Sequence, residues 1–408
     1  MQAGLLLSHQ KVYLIHGHAP IRYIPDFFFT AWGSAVGIID VDTDDSENSE
    51  GHDESMLTPP AITPETIIAA LRDHYGLRIR AVTFLPIGAD AAAAVYRVEA
   101  QDGVPYFLKL KSSGFDEIAV AIPAYLHAHG VARVMAPLPT TSHTLWAQAH
   151  GFVWILYPYF AGANGFHSPL SDAHWVTLGR SLGAVHATTL PPELARRVPH
   201  EDYSPRWRDI VMAYDRQVEA GAWDGPDADP FARQLAAFWR ARRDEIHALV
   251  ERSGRLANML RSRGEQPGTS DDPDGFVLCH TDLHAGNVLL SETDELELAI
   301  VDWDAPIFAL KERDLMFIGG GVGAIWNDPR EQALFYQGYG PVTIDPVALS
   351  YYRYERIVED IAAYGEQIFE AQGSAEDREH GLEGTMGQFQ ADRVVGIAHR
   401  TYEQLMGK

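Results

Sequence analysis

"VLCHTDLHAGN", Val277–Asn287, places two histidines, a cysteine, an aspartate and an asparagine at the end of an apolar approach. Two chemistries compete for it. His280-x-Asp282-x-His284 has the donor types of a zinc site, where imidazole nitrogens are common ligands. Asp282 and Asn287 are instead hard oxygen donors, suited to Mg²⁺ and to an alcohol that must lose its proton. Singly, each residue has a plainer role: Asp282 can cap a turn, and Asn287 can take a left-handed position after Gly286. The next segment, "VLLSETDELELAIVDWD", carries two apolar ends, 288–290 and 298–301, around a charged turn. This predicts a hairpin that brings Asp302 beside Asn287 and supplies a second oxygen ligand. No further His or Cys cluster follows at ligand spacing, so the oxygen set outweighs the zinc set. His280 is then expected to brace the loop and Cys279 to be a small buried strand residue. His284 keeps no assigned role.

Upstream, residues 79–111 read as a strand meander. "RIRAVTFLPIG", "AAAAVYRVEA" and "VPYFLKLK" are separated by turn residues, including Gln101-Asp102-Gly103. Lys109 and Lys111 alternate with apolar neighbours and so face one side of their strand. A lysine there can pair with phosphates, and Glu117, at the start of the next helix, can hold it in place. "IGADAAAAV", 87–95, lies where a phosphate-covering loop would sit, although it is poor in glycine. No Gly-x4-Gly-Lys-Ser/Thr segment occurs, and "GGGVG" at 319–323 reads as a helix-breaking loop. "HTLWAQAHG" and "FVWILYPYF" are two further strands. The second ends where a chain crossing between lobes can grip a purine with a backbone C=O and N–H. Pro158 lacks an N–H and fits only the accepting position; Phe160 N–H is the donor, with Tyr157 or Tyr159 packed on the base.

After Phe160 the pattern turns helical. Ser171 caps a helix that puts Trp175, Leu178, Leu182 and Val185 on one face. Further helices are expected near 207–220, 229–260 and 345–370. Earlier, Thr63 and Pro64 open a helix that Gly76 stops. Strands first and helices later make an α+β layout of two lobes.

The net charge is −24 over 408 residues, with 46% hydrophobic and 22% charged. Such a field repels nucleic acid and anionic membrane and favours a cationic small molecule. Cys279 has no partner cysteine, so an intrachain disulfide is excluded. The apolar run from Phe27 to Ile39 is too short to span a bilayer and lacks the flanks of a signal peptide. The cytoplasm is the expected compartment. "DVDTDDSENSEGHDES", 40–55, cannot bury enough apolar surface to fold. Residues 1–55 are therefore expected to be a dispensable extension, with Met56 as the functional start.

Taken together, these residues resemble the aminoglycoside phosphotransferases. "HTDLHAGN" followed by "IVDWD" is similar to that family's catalytic loop and metal-binding aspartate. "LCHTDLHAGNVLL", "KERDLMFIGGGVG" and "YYRYERIVEDIA" are most similar to its spectinomycin-phosphorylating members. The resemblance runs from Met56 onward. It implies a bilobal protein-kinase-like fold: a small N-terminal lobe with an antiparallel sheet (56–158), which would bind nucleotide phosphates, and a larger, mainly helical C-terminal lobe (159–408). It implies Asp282 as catalytic base, Asn287 and Asp302 as Mg²⁺ ligands, Lys109 on the α- and β-phosphates with Glu117 behind it, and Asp314 as a brace under the loop. The implied reaction moves the γ-phosphate of ATP to the 9-hydroxyl of spectinomycin, a cationic antibiotic, giving resistance. Two departures stand out. Asp304 replaces the glycine of the kinase Asp-Phe-Gly. Pro123 falls inside the helix that should carry Glu117 and is expected to break or kink it. Rival readings are a metabolic kinase of the same fold (choline, homoserine or a thio-sugar), a non-catalytic nucleotide-binding protein, and a zinc hydrolase.

Overall fold

The computed structural model describes residues 59–87, 92–131, 133–264, 275–292, 297–320, 325–390 and 392–407. The expected extension 1–55 and the start at Met56 lie outside the described residues. So do residues 88–91 of the expected phosphate-covering loop and 321–323 of the "GGGVG" run.

Helix α1 (Pro64–Tyr75) has the ends its sequence specifies. Thr63 Oγ1 accepts the Thr66 N–H at 3.3 Å, Pro64 occupies the first turn, and Gly76 closes the helix at φ 68°. Ile67 and Leu71 are fully buried, and Tyr75 Oη donates to Trp154 O at 2.9 Å, tying the helix to the sheet beneath it. That sheet is antiparallel, in the order β1-β2-β3-β5-β4: β1 (Ile79–Leu85), β2 (Ala93–Ala100), β3 (Pro105–Lys111), β4 (Ala147–Ala149) and β5 (Phe152–Pro158). The expected strand over 143–151 shrinks to β4 because His143 and His150 take φ of 65° and 53°, which ends extended backbone on both sides. Between β3 and β4, helix α2 (Ile118–Ala128) runs unbroken through Pro123, correcting the expected break. The proline forfeits one ladder bond, but Ile118, Ile122 and Leu126 are anchored in the core, and such packing outweighs local propensity.

The chain crosses into the second lobe through β6 (Gly162–Asn164), α3 (Asp172–His186), α4 (Pro192–Ala195), α5 (Arg206–Glu219) and α6 (Pro230–Gly264). The strand β7 (Val277–Cys279) then leads through a single 3₁₀ turn, Ala285–Asn287, into the hairpin β8 (Val288–Ser291) and β9 (Leu298–Ile300). Strand β10 (Ile307–Ala309) pairs with β7, and β6 with β8. Helices α7 (Glu312–Leu315), α8 (Pro329–Tyr339), α9 (Pro346–Phe369), α10 (Ala375–Gln388) and α11 (Val394–Met406) complete the lobe. Helices α3 and α8 cross closely at glycine: a Cβ on Gly179 would lie 2.0 Å from Phe335 O. The two lobes are sewn together where Ile300 N donates to Arg133 O at 2.7 Å and Met135 N to Ile300 O at 3.0 Å. Among the described residues, no helix is long and apolar enough to cross a membrane.

Helix α9 is the axis of the large lobe and is buried on every face. Tyr351, Tyr352, Tyr354, Ile357, Val358 and Ile361 are in its core, yet so are Glu355, Arg356, Glu359 and Asp360. Buried charges must be paired. Glu355 takes Arg208 and Ser253; the partners of Arg356 belong to the site described below.

A buried carboxylate outside α9 makes the stability of this lobe acid-sensitive. Asp215 accepts from Arg243 at 2.9 Å through both oxygens and from Trp239 Nε1 at 3.2 Å, with His247 Nε2 at 3.0 Å. The Arg243 hydrogen bonds lead in outweighing its burial and hold its pKa down at about 2. A carboxylate held low in the fold stabilises it above the unfolded pKa, near 4, and that contribution fades as pH falls toward 2. Asp215→Asn is therefore expected to lower unfolding stability by about 2 kcal/mol at pH 7 and by much less near pH 2. Urea denaturation of both proteins across that range checks it; a difference independent of pH would contradict the pairing as its source.

Candidate active site

The loop 280–287 is held from below by a buried acid. Asp314 Oδ2 accepts His280 N–H at 2.8 Å and Oδ1 accepts Thr281 N–H at 2.7 Å. Thr281 sits at φ 79°, a costly conformation for a β-branched residue. Its hydroxyl also donates to Ala305 O at 3.1 Å. His186 Nε2 meets Asp314 Oδ2 at 3.0 Å, and its Nδ1 meets Tyr339 Oη at 2.7 Å. Burial opposes the charge on Asp314, but bonds led by that from His186 hold it below the ordinary carboxylate range.

His280 lies inside the loop, its ring edge-on to Trp303. Nδ1 accepts Asp282 N–H at 3.3 Å, so the proton lies on Nε2, which reaches Val301 O at 2.8 Å. Burial keeps this ring neutral by pushing its pKa down, as that tautomer requires. His284 is resolved in the same way. Its Nδ1 accepts Gly286 N–H at 2.9 Å, capping the 3₁₀ turn, and its Nε2 faces Asp282 Oδ2 at 3.4 Å. Cys279 is a buried strand residue whose thiol points at Ala309 O and Leu310 O.

Asp282 is thus aimed by its neighbours. Oδ1 accepts from Arg356 Nη1 at 2.9 Å, and Oδ2 from Asn287 Nδ2 at 3.3 Å. Burial works against its charge, but the Arg356 guanidinium and then His284 hold it well below the usual carboxylate range. Asn287 Nδ2 also donates to Asp282 O at 2.8 Å. That fixes the amide, so Oδ1 is the atom turned the other way. It is buried and makes no hydrogen bond among the described residues, which is the arrangement a cation ligand would show. The hairpin closes as its pattern requires: Val301 N donates to Asn287 O at 3.0 Å, which sets Asp302 alongside. Asp302 has φ 63°, and its carboxylate turns toward Lys109, with Nζ 3.5 Å from Oδ1.

Lys109 and Lys111 do face one way. Both are buried, and both converge on Asp304, Lys109 at 3.0 Å and Lys111 at 2.9 Å from Oδ2. Burial pushes the Lys109 ammonium down, but Asp304 and Asp302 more than offset it, and its pKa rises. Glu117 does not take part. It stands at the start of α2, half exposed, and binds Arg197 at 2.7 Å. This corrects the expected Lys109–Glu117 pair. The lysine's carboxylates come from the loop after β9, because β3 faces that loop across the cleft.

Between the lobes lies a cleft of about 550 Å³, open solvent at its mouth included. Phe107, Tyr157, Pro158 and Phe160 line it from the sheet, while Leu289 and Val301 line it from the hairpin. Lys109, Asp302 and Asp304 add the charge. Tyr159 instead lies under Arg97, with the guanidinium 4.9 Å from its ring centre, so Tyr157 is the tyrosine on the cleft. Sequence reading passed over Arg356. Its one signal was an Arg-x-x-x-Asp spacing in "YYRYERIVEDIA", a helical stretch that also carries Arg353, Glu355 and Glu359.

A sheet lobe and a helical lobe, a buried lysine in the cleft, and a His-x-Asp loop followed by a hairpin ending in aspartate define a kinase-type phosphotransferase. The model of the phosphotransferase enzyme family (APH) matches residues 83–306. A solved spectinomycin phosphotransferase in complex with ADP and spectinomycin is 38% identical over 84% of this chain and 99% of that one, with a TM-score of 0.75. An AMP-bound complex of spectinomycin phosphotransferase is 36% identical over 83% and 98%, with a TM-score of 0.72. An aminoglycoside phosphotransferase from Alicyclobacillus acidocaldarius, 14% identical over 86% and 98% with a TM-score of 0.52, shares the fold. The chain belongs to the phosphotransferase enzyme family, as an ATP-dependent kinase acting on hydroxyl groups.

Proposed function

We propose that the protein phosphorylates an aminocyclitol or aminoglycoside antibiotic, with spectinomycin, at its 9-hydroxyl, as the preferred acceptor, and so gives resistance. The observation that carries this reading is 38% identity, over nearly all of a chain solved with ADP and spectinomycin, joined to a complete loop around Asp282. The net charge of −24 supports a cationic acceptor.

The acceptor oxygen would attack the γ-phosphorus, the bond to the bridging oxygen of ADP would break, and the hydroxyl proton would pass to Asp282. A carboxylate held this firmly ionised is a good hydrogen-bond acceptor and a weak base. Asp282 therefore serves chiefly to orient the hydroxyl, with its proton moving late, as suits a loose transition state. The orphaned Oδ1 of Asn287 and the carboxylate of Asp302 fit Mg²⁺, which takes oxygen ligands. Mg²⁺ held there would neutralise charge on the β- and γ-phosphates. Lys109 would contact the α- and β-phosphates, and Lys111, on the same carboxylate, adds a second positive charge beside it. The purine would lie on Tyr157 against Leu289 and Val301, with Pro158 C=O and Phe160 N–H as its backbone partners. In this reading residues 56–158 hold the nucleotide phosphates and 159–408 the catalytic loop, metal and acceptor.

A panel of acceptors assayed with labelled ATP tests the proposal. Spectinomycin is expected to exceed choline, homoserine and thio-sugars by at least ~10² in kcat/KM, the discrimination available to a site that hydrogen-bonds its substrate. Preference for choline would replace the antibiotic by a metabolic substrate.

A further inference from the structure

We infer that Arg356 is a positioning residue for phosphoryl transfer, holding the Asp282 carboxylate in the orientation that leaves an oxygen for the acceptor hydroxyl. The inference rests on the role of Asp282 proposed above.

Three donors meet Asp282, and they are unequal. Asn287 Nδ2 and His284 Nε2 approach Oδ2 at 3.3 and 3.4 Å, near the limit of hydrogen bonding. Arg356 Nη1 reaches Oδ1 at 2.9 Å and is charged, which makes it the strongest of the three. The side-chain torsion of Asp282 is therefore set mainly from Arg356, with Oδ2 left as the more weakly occupied oxygen. A carboxylate has about four acceptor sites, so a hydroxyl can still be taken there.

The guanidinium also lies beside a second carboxylate and a ring. Its Nε lies 3.0 Å from Asp360 Oδ1, one turn further along α9, and its face lies 5.7 Å from the Phe317 ring centre. The whole side chain is buried. Arg356 hydrogen-bonds Asp282 through Nη1 and pairs by charge with Asp360 across Nε, which makes no hydrogen bond among the described residues; a flat, extended guanidinium can face both carboxylates at once, and a lysine's compact ammonium cannot. This gives a function to a charged pair on a helix otherwise packed as core. It also ties the acceptor side of the site to α9, the axis of the lobe.

The test compares Arg356→Ala, Arg356→Lys and Asp360→Asn with the wild type, with spectinomycin as acceptor and Asp282→Asn alongside. For Arg356→Ala, kcat is expected to fall on the order of 10²-fold, the effect of a misplaced reacting group. ATP affinity should stay within about twofold, since no proposed nucleotide contact lies on α9. Arg356→Lys should recover part of the loss by restoring charge without the fork. Asp360→Asn keeps the arginine but loosens it, and a drop of several-fold in kcat is expected; it carries the test if Arg356→Ala does not fold. A kcat within about twofold of wild type in these variants, or a loss shared by ATP affinity, overturns the assignment. Acceptor-independent ATP hydrolysis, with water in place of the hydroxyl, ranks the variants in the same way. If the wild type leaves spectinomycin untouched, the acceptor reading fails while this ranking still decides the role of Arg356. If Asp282→Asn remains active, the reading of Asp282 fails, and Arg356 with it.

Discussion

Asp282→Asn is expected to cut transfer to the acceptor by about 10³-fold, within the range that a positioned acid–base group contributes. The replacement keeps the shape of the side chain and removes its charge. One amide oxygen can still accept from Arg356 at the Oδ1 position. The amide NH₂ then takes the Oδ2 position, where it meets Asn287 Nδ2 and the Nε2–H of His284, so donor faces donor. That oxygen is the one left for the acceptor hydroxyl, and an NH₂ can neither accept its hydrogen bond nor take its proton. ATP affinity should change by less than about threefold, because the nucleotide contacts proposed for Lys109, Pro158 and Phe160 are untouched. Arg356 keeps Asp360 and Glu359 as acidic neighbours but loses its hydrogen-bonded carboxylate, and one partner lost from a buried pair costs on the order of 3 kcal/mol. Turnover should therefore be normalised to folded protein, with ATP titrated calorimetrically beside it. Transfer within about tenfold of wild type would remove Asp282 from the chemistry.

How far the sequence carried this site follows from the range of the interactions involved. Asp282, Asn287 and Asp302 were legible because a hairpin joins them, and hairpin pairing is local: alternation and a charged turn fix which residues meet. Lys109 and Lys111 facing together follows from the two-residue period of a strand. Glu117 was misassigned because the partner of a lysine on β3 depends on how the lobes dock. Docking put Asp304 beside it and sent Glu117 to Arg197. Arg356 could not be placed, since nothing in spacing links it to a loop on another part of the chain. The continuity of α2 through Pro123 is likewise a tertiary effect, set by core contacts that local propensity does not contain. His284 shows the reverse case: its imidazole, which invited a zinc site, is used for a turn cap and for Asp282.

Asp314→Ala is expected to remove both stability and activity. Asp314 is fully buried and receives three donors: the N–H groups of His280 and Thr281 and the Nε2 of His186. Truncation leaves all three in a space with no replacement. An unsatisfied buried donor costs about 1–3 kcal/mol, so the loss should be on the order of 4 kcal/mol after partial relaxation. The backbone then has less reason to stay strained. Thr281 at φ 79° stores about 1–3 kcal/mol, and the two bonds to Asp314 hold its own N–H and that of His280 just before it. Once they are gone, Thr281 should relax toward an ordinary conformation and carry Asp282 with it. A shift of 1 Å in a reacting group costs about 10²-fold, so activity per folded molecule should fall at least that far. Asp314→Asn should lie between the two. Its oxygen can serve Thr281 N–H, but its NH₂ faces His280 N–H or the imidazole. The measurements are the urea midpoint and kcat per folded molecule for both variants. An unchanged midpoint with kcat within about twofold of wild type in Asp314→Ala would mean the loop holds its shape without the acid. A fallen midpoint with full activity per folded molecule would confine Asp314 to stability and free the geometry of Asp282 from it.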